Sequence, residues 1–173
     1  MPTINFFAPY HKQETSAPLF GLCDDDDESP AYIDEILSNK DSKWIGVVVN
    51  SKRKAVSFYP VDKCVEIWED ENKMGSRCEG ILKYDGIKLI FVELKDRKIK
   101  NTDWLSKAKG QIIATLKYFL QSYDLASFAV RAWICNKQLT YQNCFTQINS
   151  FRDETKSLFG KGILLHIDNT INL

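Results

Sequence analysis

An α/β fold is predicted for this chain by three observations. Runs of β-branched and apolar residues recur between polar turns, as at Trp44 to Val49 and Ile87 to Leu94. Two of these runs flank Asp85-Gly86, a strong hairpin signal. One long segment, Trp104 to Tyr123, has helical periodicity instead, with Leu105, Ala108, Ile112, Leu116 and Phe119 along one stripe. The expected order is α-β-β-β-α-β-α-β, a central mixed β-sheet flanked by helices.

The elements follow in order. Residues 1–29 mix aromatics, prolines and acids without periodicity, and we read them as an irregular N-terminal arm. Its acidic block, Asp24 to Glu28, reads as a solvated loop. An EF-hand register over Asp24 to Glu35 lacks the glycine at position 6 and puts Pro30 at position 7, so it is rejected. Residues 30–173 form a single α/β domain. Ser29-Pro30 opens a helix to Ser38, with Ser as N-cap and Pro at the first helical position. Trp44 to Val49 is a strand, Asn50 to Lys54 a turn, and Ala55 to Tyr59 the return strand, stopped by Pro60. Lys63 to Trp68 fits a strand or a short helix, closed by Asp70-Glu71-Asn72. Arg77 to Tyr84 and Ile87 to Leu94 form the hairpin. After the long helix come a strand (Ser127 to Cys135), a helix (Gln147 to Phe159) and a last strand (Ile163 to Ile167). Gly110, inside the long helix, is expected where the helix packs closely on the sheet. The four tryptophans are expected in the core.

Composition bounds the function. A chain of 173 residues, 44% hydrophobic and 27% charged, suits one globular domain. No apolar run approaches the roughly 20 residues of a membrane helix, and no secretory leader is visible. Five scattered cysteines without CxxC pairs predict free thiols in a reducing compartment and no zinc site, hence a cytoplasmic protein. A formal net charge of zero argues against a constitutive nucleic-acid binder. Lys95 to Lys109 nevertheless holds six bases against two acids, enough to hold a phosphate backbone locally.

Chemistry concentrates between residues 78 and 111. On the strand Ile87 to Lys95, Leu89, Phe91, Glu93 and Lys95 share one face. Both faces are apolar up to that point, the mark of a buried central strand. Charged groups at its exit need partners or a role. Lys107, Gln111 and Thr115 share one face of the long helix. Two carboxylates here, Glu79 and Glu93, are ligands of the type that a hard divalent cation prefers.

Glu79-Gly80, Glu93-Leu94-Lys95 and Gln111 together resemble the core motif of the PD-(D/E)XK nuclease superfamily, best over residues 76 to 119. The resemblance implies a restriction-endonuclease-like core and cleavage of a phosphodiester. It implies that Glu79, Glu93 and the Leu94 carbonyl hold Mg2+ or Mn2+. Lys95 would position or deprotonate water, and Gln111 would orient the cluster. The first acid of the motif is assigned to Glu35, with Asp34 and Asp62 as alternatives. The chain departs from the family in having Cys78 in place of a proline and Glu79 in place of an aspartate. Two functions follow: a magnesium-dependent nuclease acting on DNA, or a catalytically inactive domain of the same architecture that binds a partner. The near-neutral charge leaves room for a second subunit, as in a homodimer, or for a protein partner that helps hold nucleic acid. Read without the resemblance, Glu-x-Lys is a surface ion pair worth under about 1 kcal/mol, Cys78 a buried inert thiol, and His166 a structural histidine.

Overall fold

The computed structural model describes residues 3–25, 27–97, 103–138 and 144–173. Asp26 of the acidic block and Lys98 and Lys100 of the basic stretch lie outside the described residues. The described chain is mixed α/β. Its main sheet has six strands in the order β1 (Gln13–Thr15), β5 (Val56–Pro60), β8 (Gly80–Tyr84), β9 (Lys88–Lys95), β10 (Ala129–Asn136) and β11 (Leu164–Ile167). Neighbours are antiparallel from β1 through β9; β9, β10 and β11 run parallel. Helices α2 (Asp103–Phe119) and α3 (Phe145–Phe159) provide the crossovers that parallel pairing requires.

The helices cover one face only. Trp104, Leu105, Ala108, Ile112, Leu116 and Phe119 of α2 pack against Ile81, Leu89, Phe91 and Ile134 of the sheet. On the opposite face lies a second sheet of four strands, ordered β12 (Thr170–Asn172), β4 (Gly46–Val49), β2 (Leu19–Cys23) and β3 (Tyr32–Asp34). There Phe20, Leu22, Val48 and Ile171 meet Phe58, Leu82, Ile90 and Val92. Strand β9 is therefore central and buried on both faces, as its sequence predicts: Leu89, Ile90, Phe91 and Val92 are all inaccessible to solvent. Each such side chain contributes about 1.5–3 kcal/mol by burial.

Several expectations are corrected. Residues 1–29 are not irregular throughout, because β1 and β2 lie within them, one in each large sheet. Pro30 to Ser38 is not a helix. Tyr32–Asp34 pairs with β2 as β3, and a 3-10 turn (Leu37–Asn39) and a single helical turn, α1 (Lys40–Lys43), follow. The Ser29 hydroxyl donates to Asp27 instead of capping a helix. The Asp34 carboxylate accepts from Trp44 Nε1 at 2.8 Å, Asn39 Nδ2 at 3.0 Å and the Ile36 amide at 3.1 Å, which holds the non-helical turn. Strands β4 and β5 do not form a hairpin but belong to different sheets. Buried Asn50 makes that crossing, accepting from Lys54 N and donating to the carbonyls of Ala17 and Lys54.

The Asp85-Gly86 connection is a hairpin, but Tyr84 pairs with Lys88, so the loop has one residue more than expected. Asp85 and Gly86 both have positive φ (48° and 76°), the demand that an Asp-Gly pair meets. Residues 63–67 are neither strand nor helix: a turn ends at 64, and a small hairpin of β6 (Trp68–Asp70) and β7 (Lys73–Met74) follows. Trp68 is exposed on it and not in the core; Trp44, Trp104 and Trp133 are buried. A Cβ added at Gly110 would meet nothing within 4 Å, so that glycine faces away from the sheet. No helix among the described residues is long and apolar enough to cross a membrane.

Candidate active site at the end of the central strand

Strand register builds the site. Gly80 pairs with Val92, so Glu79 stands opposite Glu93 one step beyond the β8–β9 ladder. Directly opposed side chains share a face of the sheet, and here that face is the one under α2. Glycine at position 80 permits the close approach of β5: an added Cβ would lie 2.4 Å from the Phe58 ring and 2.9 Å from the Tyr59 carbonyl oxygen.

Glu93 is fully buried. Its Oε1 is in ion-pair contact with Lys95 Nζ, yet neither carboxylate oxygen has a hydrogen bond of good geometry. Lys95 Nζ donates to Gln111 Oε1 at 2.8 Å, and Gln111 Nε2 donates to the Arg77 carbonyl at 3.0 Å. One turn on, the Thr115 hydroxyl accepts from the Cys78 amide at 2.8 Å and donates to the Gln111 carbonyl. The helix is thus tied to the strand that presents Glu79, and the glutamine fixes the lysine. Lys107, on the same helical face by sequence, is exposed.

Electrostatics set the two carboxylates apart from ordinary acids. Burial pushes Glu79 up to about 8, and Glu93, Asp24 and Asp62 add to the shift while Lys95 opposes it. Burial pushes Glu93 up to about 7, and the Lys95 ammonium beside it pulls against that shift. Two nearby carboxyls in a dry site cannot both ionise cheaply, so the pair holds a proton or calls for a cation. The Cys78 thiol is pushed up by burial and is no nucleophile at neutral pH.

Glu79, Leu94 and Lys95 line a cavity of about 310 Å3. Lys43, Arg97 and Lys137 line it too, as do Asp24 and Asp25. Arg97 is placed there by buried Asn136, whose side chain accepts from the Arg97 amide at 3.1 Å and donates to its carbonyl at 3.0 Å. Lys137 is held by the Ser42 carbonyl.

The structure therefore brings together Glu79, Glu93, Leu94, Lys95 and Gln111. It does not bring Glu35, which is exposed, accepts from the Thr15 hydroxyl and is absent from the cavity lining. Asp34 is committed to Trp44 and Asn39. Asp62 pairs with Arg77 at 3.1 Å, near enough to raise both glutamates. Sequence reasoning missed Asp24, Lys43 and Lys137. The acidic block reads as solvent-facing, and only the packing of β2 against β4 carries Asp24 to the site.

Among the described residues, no group of three or more His, Cys, Asp or Glu is placed to hold a metal ion. The donors that are present fit magnesium better than zinc. Magnesium takes oxygen, is often held by one or two carboxylates, and keeps several waters. The unbonded, buried Oε2 of Glu93 is the kind of orphan that such an ion would satisfy. All five cysteines are unpaired. No family model, curated protein or solved structure matches the chain.

Proposed function

We propose that the chain is a magnesium-dependent phosphodiesterase acting on nucleic acid, with DNA as the favoured substrate. One observation supports this most: a fully buried Glu93 touches Lys95 and stands opposite a second buried carboxylate, Glu79, which lines a cavity together with Lys43, Lys95, Arg97 and Lys137 and the acids Asp24, Asp25 and Asp96. The succession β5, β8, β9, α2, β10, α3, β11 is compatible with a restriction-endonuclease-like core. Glu79, Glu93 and the Leu94 carbonyl would hold Mg2+ or Mn2+, which supplies a Lewis acid for the charge that develops on the phosphate. Lys95, fixed by Gln111, orients the attacking water and offers a positive charge to the transition state. Lys43, Arg97 and Lys137 hold the flanking phosphates.

A second reading, an inactive domain that binds a protein partner, is favoured by a different observation. Among the described residues no three of His, Cys, Asp or Glu are placed to hold a metal ion. Calorimetric titration with MgCl2 and MnCl2 separates the two. The nuclease reading expects binding by the parent, loss in Glu93→Gln, and plasmid cleavage that Lys95→Ala abolishes. Removing Lys95 leaves Glu93 to take up a proton, so the fold should persist. A folded parent that binds neither ion and leaves plasmid intact would rule out the enzyme.

A further inference from the structure

The opposite end of the main sheet holds a second cavity, of about 580 Å3. Strand β9 runs from Lys88 at this cavity to Lys95 at the first. Those eight residues rise roughly 3.3 Å each, which separates the two cavities by roughly 23 Å; they share no lining residue.

The ends of five adjacent strands deliver the charges. Lys54 precedes β5, Tyr84 ends β8, Lys88 begins β9, Arg131 lies on β10, and Lys161 precedes β11. Asp85 opposes them, pairing with Lys54 at 2.8 Å and Lys88 at 3.0 Å. Among the described residues, neither Arg131 nor Lys161 has an ion-pair partner. Lys161 instead donates to the carbonyls of Leu125 (3.2 Å) and Phe128 (2.9 Å), so its ammonium is held in place.

Tyr84 lies at the centre and is buried. The Lys54 and Lys88 ammoniums sit 5.0 and 5.5 Å from its ring centroid. Its hydroxyl accepts from Arg131 Nη2 at 2.5 Å. That bond uses one of five guanidinium donors and leaves the phenol's own proton to donate elsewhere. The Trp133 ring, 5.7 Å from the Arg131 guanidinium carbon, steadies the fork. Four cations face Asp85 and the terminal carboxylate of Leu173, a residue that also lines the cavity; the charge that remains is positive, and a multiply charged anion would balance it. A planar guanidinium, a hydroxyl proton and ammonium groups are the donor set that phosphate oxygens accept from. The cavity has the size of a small-molecule site and exceeds what a single orthophosphate fills.

We propose that this cavity binds a small molecule bearing linked phosphates, as in a condensed phosphate or a nucleoside polyphosphate, independently of the buried carboxylate pair. Calorimetry with sodium tripolyphosphate and with ATP, without divalent metal and at low and physiological salt, tests it. Saturable binding of one equivalent is expected. Arg131→Gln should weaken it at least tenfold and Tyr84→Phe about threefold or more. Lys73→Gln, on the β6–β7 hairpin and in neither cavity, should leave it unchanged. Arg131→Lys keeps the charge but loses the fork; it should still weaken binding with the melting temperature preserved, which excludes a folding artefact. Tighter binding of ATP than of tripolyphosphate assigns a nucleotide, and equal binding assigns the phosphate chain alone. Absence of saturable binding to the folded parent, or loss in Lys73→Gln and not in Arg131→Gln, would overturn the proposal.

Discussion

Glu79 shows how one residue's environment reaches the behaviour of the protein. Burial above all raises its pKa from the ordinary 4.5 of a glutamate to about 8. Between those values the folded chain binds a proton that the unfolded chain has released. Stability contributed by this group is therefore complete below about pH 4.5 and falls as pH rises towards 8. We expect the metal-free protein to lose on the order of a few kcal/mol across that window. Glu79→Gln, which cannot ionise, should reduce the slope of the profile measured by urea unfolding from pH 5 to 8.5, with Glu93 left to titrate in the same window. An equally steep profile in the variant would mean that Glu79 is not the titrating group. Asp34 has the opposite sign. Burial raises it, but the bonds from Trp44, Asn39 and the Ile36 amide prevail and lower it, so its contribution is lost on acidification. Replacing it by alanine orphans a buried indole N–H and should cost about 1–3 kcal/mol in urea unfolding at neutral pH.

At the scale of elements, two glycines make opposite predictions. Gly80 sits where β5 and β8 approach closely, and a methyl there meets both a ring and a carbonyl oxygen. Gly80→Ala should destabilise by about 1–3 kcal/mol, as overpacking does. Gly110 lies on the open side of α2 with nothing near a prospective Cβ. Gly110→Ala should stabilise by about 0.5–1 kcal/mol, because the glycine only weakens the helix. Paired denaturant titrations at constant m-value check both. The long helix was legible because its stripe faces one uniform apolar surface. The expected helix at Pro30 was not, because Tyr32–Asp34 pairs with β2, and no local rule reports a strand partner across the intervening loop.

At the scale of the whole molecule, the main sheet has the buried carboxylate pair with a cavity of mixed charge at one end and a basic cavity at the other, with helices on one face and a second sheet on the other. A ligand that binds only the folded state raises its stability by mass action, by about 2.7 kcal/mol at a hundredfold excess over Kd. For a chain of this size that corresponds to a rise of roughly 5–10 °C in Tm. We expect MgCl2 to produce such a rise in the parent and none in Glu79→Gln, read by thermal melting at pH 7.5. A rise of equal size in the variant would place the ion elsewhere.

The sequence by itself determined the α/β class, a hairpin at Asp85-Gly86 and the long helix, because those depend on periodicity and turn chemistry. The register that sets Glu79 opposite Glu93 was decided by the structure, since the loop is one residue longer than the Asp-Gly pair predicts. Only the tertiary structure decided that β4 and β5 part into different sheets, that Asp24 reaches the cavity while Glu35 does not, and that Lys54, Lys88, Arg131 and Lys161 gather around Tyr84. Each depends on which strand lies beside which. Pairing between distant segments is chosen by the packing of whole faces, and local residue patterns do not encode it.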